Sequence, residues 1–299
     1  MNPDWVPPAY LSPSQISSLT TCGEQYRLTR VEGAPERPMW AGIGGSTVHK
    51  VTELLDEKPI DNPDIETLFA EIFQQCLDEA KERHPEFDPS EYYRSGRASK
   101  EWPEKEGPEW WAKKGPGFVR AWLAWRQGID LELWEVPDDD GELHPAVEVE
   151  VNASIQQPPG DDLRVRSIID RIFIDPNGDL RIVDIKTGSH TDAWPRQMAY
   201  NALGVWHTFG ERVRWAGFWS ARKGGVQEWT DLTRYSDDWL WSQAQKAKAI
   251  RDNQLFLAAP TNLCTSACGV RQFCVAMGGT PFFRRNATVT QATVAQEEG

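Results

Sequence analysis

The decapeptide RIVDIKTGSH, residues 181–190, constrains this chain more than any other stretch. Ile182, Val183 and Ile185 are residues of a buried β-strand, yet Asp184 and Lys186 interrupt them just before Gly188. Side chains alternate along a strand, so Asp184 and Lys186 project from one face and Val183 and Ile185 from the other. An ionised carboxylate within an apolar sheet is costly unless it is paired or bound to a cation. The preceding strand repeats the problem. In RVRSIIDRIFID (164–175) Asp170 stands among Ile168, Ile169, Ile172 and Phe173, and PNGD (176–179) reads as a hairpin turn joining the two strands. Upstream, AVEVEVNASI (146–155) alternates with period two and puts Glu148 and Glu150 on a shared face.

Three neighbouring strands thus bring acid onto a mostly apolar sheet. Clustered carboxylates repel one another and raise each other's pKa, and a divalent cation relieves both burdens. Hard oxygen ligands suit Mg²⁺ or Mn²⁺. An amine such as Lys186 beside the ion can position an attacking water and offset charge building on a phosphate. Read from the residues alone, a structural Asp–Lys–Arg network at a strand end remains the rival.

Around these strands the pattern is helical. LSPSQISSLTTCGEQYRL offers Ser12 or Ser14 as a helix N-cap, and GIGGSTVHKVTELLDE reads as a Gly-rich loop feeding a helix with Val48, Val51, Leu54 and Leu55 on its apolar stripe. Residues 63–83 and 117–130 have helical spacing, with a polar, Pro-broken stretch from His84 to Pro116 between them. After the acidic strands come a helix over 191–210, with Pro195 in its first turn, two strands in RVRWAGFWSAR and VQEWTDL, and a long helix from 237. The order implies an α+β core with a mixed central sheet. The divisions read from the chain are 1–55, N-terminal helices with Cys22 and His49; 56–145, a mainly helical insertion; 146–258, the core; 259–280, a cysteine-rich region; and 281–299, a flexible tail.

The hairpin IIDRIFIDPNGDLRIVDIKTG resembles the core of the PD-(D/E)XK nuclease superfamily, in its RecB-like variant with a G-x-x-D-R…D-x-K-T-G pattern. GGSTVHKVTELL resembles that family's G-x-x-x-H helix, and RQMAYNALG resembles its Q-x-x-x-Y helix, with Gln197 and Tyr200 one residue closer here. The resemblance covers about 11–55 and 146–279, departs at Ser167, where the family often has Gly, and implies an α/β/α restriction-endonuclease-like core. It implies that His49, Asp170, Asp184 and the backbone carbonyl of Ile185 bind the catalytic metal, and that Lys186 orients or activates the water nucleophile. It further implies that Glu148 or Glu150 is an outer or second-metal ligand, and that Gln197 and Tyr200 support Lys186 or touch the DNA backbone.

The cysteines carry a second pattern. Cys264, Cys268 and Cys274 are spaced C-x₃-C-x₅-C, and Cys22 lies far upstream. Thiolates suit iron–sulfur clusters and zinc alike. The layout resembles iron–sulfur RecB-like nucleases, AddB and the Cas-four type of exonuclease, and implies a [4Fe–4S] cluster that clasps residue 22 to 264–274 across the core, although the family usually has C-x₂-C at the first pair. Cys76, on an apolar helical stripe, reads as core.

The formal net charge of −13 argues against a uniformly nucleic-acid-binding surface, since phosphate contact needs a basic face. Much of the acid falls in 53–91 and 138–142, which leaves room for a local basic groove. No apolar run is long enough to span a bilayer, and the expectation is a soluble cytoplasmic protein without membrane contact. Together the readings imply a Mg²⁺- or Mn²⁺-dependent DNA exonuclease, acting on single strands or DNA ends in recombination or repair, with a strand-annealing protein as a partner by resemblance. The rivals are a non-catalytic DNA-binding subunit stabilised by the cluster and an RNA or nucleotide hydrolase on the same fold. No G-x-x-x-x-G-K-[ST] motif occurs, so a helicase motor in the chain is not expected.

Overall fold

A computed structural model describes residues 2–138, 140–155, 162–188, 195–265 and 268–283. The expected tail lies outside the described residues from 284 onward, as does the first part of the helix expected over 191–210. The chain divides into two units. One comprises residues 1–37, 155–164 and 241–299, the other 38–154 and 165–240.

The first unit opens with α1 (Pro13–Thr21), capped by Ser12. The Ser12 hydroxyl accepts the Gln15 N–H at 3.2 Å while the Gln15 side chain accepts the Ser12 N–H at 3.2 Å. Cys22 separates it from α2 (Gly23–Tyr26), which runs into a π-helical turn over Arg27–Val31. Gly23 is required there, because a Cβ would stand 2.9 Å from the Phe256 backbone. Leu28, Ala34, Val270 and Cys274 form a small core with Cys268, Phe273, Met277 and Phe282 packed against it.

The second unit holds the sheet. Three long helices come first: α3 (Trp40–Glu57), α4 (Ile65–Arg83, capped by Asp64) and α5 (Pro108–Gly128). The strands are β1 (Glu132–Leu133), β2 (Glu135–Pro137), β3 (Leu143–Pro145), β4 (Val147–Ile155), β5 (Leu163–Ile174), β6 (Leu180–Lys186), β7 (Val213–Ser220) and β8 (Gly225–Asp231). Helix α6 (Pro195–Phe209) connects β6 to β7, and α7 (Asp237–Asp252) follows β8. The main sheet runs β1-β5-β6-β7-β8, with β4 also paired to β5, while β2 and β3 form a separate pair. β6 and β7 are parallel, as the α6 crossover demands, and β5–β6 and β7–β8 are antiparallel, so the sheet is mixed. The β5–β6 turn is set by Gly178 at φ +86° and by the Asp175 carboxylate, which accepts the N–H groups of Asn177 and Asp179.

Two expectations change in this unit. The Gly-rich segment 42–45 is not a loop but the first turns of α3. Packing overrides glycine's poor helix propensity, because a Cβ on Gly44 would lie 1.9 Å from the Trp111 ring. Helix α5 starts at Pro108, well before 117, and carries Pro116 inside it. Trp111, Trp122 and Trp219 are fully buried, in line with reading most tryptophans as core.

Candidate metal centre

The β5–β6 ladder runs from Ile174↔Leu180 to Arg171↔Val183, and Asp170 and Asp184 stand just beyond its end. β6 continues alone against β7 as far as Lys186↔Ser220. The Ala221 N–H donates to the Lys186 carbonyl at 2.9 Å, so Lys186 presents its backbone to β7 and Ile185 presents both its N–H and C=O to the open side. Two side chains take them. The Asp170 carboxylate accepts the Ile185 N–H at 2.6 Å, and His49 Nε2 lies 3.0 Å from the Ile185 carbonyl. The fork where two strands part is thus lined by a carboxylate, an imidazole and a main-chain oxygen.

His49 comes from α3, whose buried positions Trp40, Ile43, Thr47, Val48, Val51, Thr52 and Leu55 follow the helical repeat and seat the helix. Its Nδ1 lies 3.6 Å from Asp170 Oδ2 and 3.8 Å from Glu148 Oε1. One ligand atom each of His49, Glu148 and Asp170 fall within 4.8 Å of one another. Asp184 faces the same cluster closely enough to push up the pKa of Asp170, but its own contacts are with Lys186 Nζ at 2.5 Å and Gln197 Nε2 at 3.3 Å.

Glu148 and Glu150 do not behave alike, although strand alternation puts them on one face. Glu148 has φ +49°, in the left-handed region that non-glycine residues rarely adopt. The alternation holds, with Val147, Val149 and Val151 on the buried face, yet Glu148 joins His49 and Asp170 while Glu150 is exposed and ion-paired with Arg166. Tyr200 is not brought to Lys186. Its buried hydroxyl donates to the Leu240 carbonyl at 2.8 Å, and burial raises its pKa.

The electrostatics are those of a crowded acid cluster. Burial, then Asp184 and Glu148, raise the Asp170 carboxyl to about 6 despite His49 and the Ile185 N–H. Burial opposes the charged form of His49, but Asp170, then Glu148 and Asp184, outweigh it and raise its pKa. Glu148 Oε1 is buried without a hydrogen bond, and Asp184 Oδ2 is held against the Lys186 ammonium. The Glu148 and Asp170 carboxylates and the His49 Nδ1 that faces them fit a divalent cation, while the Ile185 carbonyl meets the other ring nitrogen and fixes the ring. Neighbouring ligands of Mg²⁺ stand about 3 Å apart, so the 3.6 and 3.8 Å separations from His49 Nδ1 would have to close by less than about 1 Å.

Residues beyond those picked out by sequence also converge here. Arg171 follows Asp170 and is buried against Asp56 and Thr52 of α3. Glu53 lies near enough to Glu148 that, after burial, this neighbour raises its pKa most. The spacing 49, 52, 53, 56 on one helical face was the available signal. A further group, Asp138, Glu142 and His144, is exposed, and Asp138 is occupied by the N–H groups of Asp140 and Glu142 and by His144.

The family model of the PD-(D/E)XK nuclease superfamily matches residues 10–275. The chain belongs to the PD-(D/E)XK nuclease superfamily. Members of this superfamily use divalent metals on nucleic-acid substrates, and the acidic fork just described is the candidate for that role. The chain is similar to the Gene 69 protein of Mycobacterium phage D29, 27% identical over 245 residues covering 75% of this chain and 81% of that protein. It is 26% identical over 262 residues to the Gene 69 protein of Mycobacterium phage L5, covering 75% and 82%. A crystal structure of a candidate exonuclease from Eubacterium rectale aligns over 83% of this chain and 80% of its own, with a TM-score of 0.41 and 11% identity. No helix among the described residues is long and apolar enough to cross a membrane.

Proposed function

We propose that this nuclease is a metal-dependent DNA exonuclease of the RecB-like type that works on DNA ends in recombination or repair and carries a [4Fe–4S] cluster. The observation that carries the reading is the convergence of His49, Glu148 and Asp170 within 4.8 Å, beside an Asp184–Lys186 pair. His49 through Nδ1, Asp170 and Glu148 would hold the ion, with Asp184 completing the set as Lys186 moves to the substrate, and the Ile185 carbonyl, a metal ligand by the resemblance, would instead steady the other ring nitrogen of His49. The bound cation supplies Lewis acidity at the phosphate and a more acidic water.

The chain's own residues do the rest. The Ile185 N–H fixes the Asp170 carboxylate, so this ligand loses little freedom when it binds. Gln197 holds Asp184 from the α6 side. Lys186, reaching from the same strand face as Asp184, orients the attacking water and offsets charge that gathers on the phosphate. Exonuclease rather than endonuclease action, and DNA rather than RNA, rest on the family resemblance of the D-x-K-T-G strand and the cysteine layout.

The cluster has its own support. Cys22, Cys264, Cys268 and Cys274 line one small pocket with Leu28, Val270 and Met277. Burial raises the Cys268 thiol, and the other three cysteines raise it further. Anaerobically purified protein is expected to be brown, with absorption near ~400 nm that Cys264→Ser abolishes. A colourless protein with stoichiometric zinc would replace the cluster by zinc.

The nuclease reading is tested with end-labelled single- and double-stranded DNA and closed circular DNA, with Mn²⁺ or with chelator. Linear DNA is expected to be degraded from its ends only with metal, and the circle to survive. Cleavage that persists in Asp184→Ala or Lys186→Ala removes the site assignment. Binding of DNA without cleavage under all metal conditions would favour a non-catalytic subunit.

A further inference from the structure

We propose that Arg171 is a positioning residue for the metal centre: clamped by Asp56, it fixes Glu148 as a carboxylate ligand and so sets how tightly the divalent ion is held. This rests on the nuclease reading above. Arg171 is 0% exposed. A guanidinium keeps its proton in proteins, so this charge must be met inside the fold.

Three contacts lock its plane. Nε donates to Asp56 Oδ2 at 2.7 Å, Nη1 to the Asp170 carbonyl at 2.6 Å, and Nη2 to Thr52 Oγ1 at 3.2 Å. Trp122 closes the cage. Its ring centre lies 5.5 Å from the guanidinium carbon, and its Nε1 donates to the same Asp56 oxygen at 3.0 Å.

The remaining reach of Arg171 is toward Glu148. Nη1 lies 3.5 Å from Glu148 Oε1, which is buried and accepts no hydrogen bond. An oxygen at this range is drawn by charge yet keeps its lone pairs for an ion. The backbone of Glu148, at φ +49°, is a conformation that persists only where surroundings enforce it. Arg171 faces this residue at 3.5 Å, beside His49 at 3.8 Å.

Helix α3 therefore sets the centre twice. It presents His49 directly, and one and two turns later Thr52 and Asp56 set the arginine that aims Glu148. A structural pair would need only Asp56 and Arg171. The approach to Glu148 connects that pair to the ligands.

Mn²⁺ binding to the full chain, followed by the electron paramagnetic resonance of free Mn²⁺, tests this without relying on cleavage. The set is wild type, Arg171→Lys, Glu148→Gln and the double variant. Lysine keeps the charge but not the fork. Arg171→Lys is expected to weaken Mn²⁺ binding about 10–100-fold, as loss of a ligand's outer partner does. In the Glu148→Gln background the same change is expected to alter binding less than about twofold, because the two act through one contact. An equal weakening in both backgrounds, or none in the wild type, overturns the proposal. If Arg171→Lys does not fold, Asp56→Asn removes the clamp at constant shape and is read in the same cycle. Wild-type protein that binds no Mn²⁺ sinks the nuclease reading along with the proposal. Wild-type binding and cleavage with an additive cycle sink the Arg171 role alone.

Discussion

Removing the charge of Asp170 is expected to make the metal-free protein more stable while destroying the ion site. The carboxyl is buried beside Glu148 and Asp184, and its pKa stands at about 6 instead of 3.8. That difference corresponds to roughly 3 kcal/mol, at 1.36 kcal/mol per pKa unit. The sign follows from proton binding. The fold raises this pKa, so the folded state holds the proton more tightly than the unfolded chain. The favourable term is complete below about pH 4 and is lost as pH rises through 6. Asn is isosteric, stays neutral, and its carbonyl can still accept the Ile185 N–H. Asp170→Asn in chelator should therefore match wild type near pH 4 and gain stability from there to pH 7, up to about 3 kcal/mol, or roughly 5–10 °C in Tm. Chemical denaturation at pH 4, 6 and 8 in chelator, repeated with excess Mn²⁺, reads both halves. Mn²⁺ should raise the wild-type midpoint and leave the variant unmoved. A variant less stable than wild type at pH 8 in chelator, or one with the same gain at pH 4, would refute the burden assigned to this carboxylate.

The remaining predictions concern the same unit. Because Asp170 and His49 both have raised pKa values, chelated wild type should lose stability as pH rises from 5 to 8, and Mn²⁺ affinity should increase over that range as both protons leave; calorimetry at several pH values would show a flat response if the cluster does not titrate. Lys186→Met is expected to lower cleavage at least about 10²-fold while Mn²⁺ still binds, and parallel loss of binding would assign Lys186 to holding the site instead. Gly44→Ala should destabilise by about 1–3 kcal/mol through collision with Trp111, and a neutral effect in urea denaturation would show that α3 can shift off α5.

Much of the scaffold was legible because it is built from local periodicity. The two-residue alternation of 146–155 and 164–175, the PNGD turn and the parallel crossover through 195–209 specify a mixed sheet with acid at one end. The residues alone left a structural ion pair as an equal reading of Asp184 and Lys186, and only the family resemblance joined His49 to them. What escaped depends on contacts distant in sequence. Gly44 lies in a helix because Trp111, 67 positions on, fills its place. Glu148 reaches His49 while Glu150 on the same face pairs with Arg166, a choice of partner that no pattern in the strand encodes. The Asp56–Arg171 pair joins residues 115 apart, and Tyr200 is engaged by a carbonyl 40 residues downstream.

The main chain of Ile185, not its side chain, meets both Asp170 and His49. Any bulky aliphatic residue could stand at that position without altering the fork. A one-residue slip of β6 could not be absorbed in this way: it would turn Lys186 and Asp184 to the opposite face and offer a different peptide group to the imidazole. On the proposed assignment, catalytic competence would be a readout of strand alignment, and misthreaded molecules of identical composition would be silent.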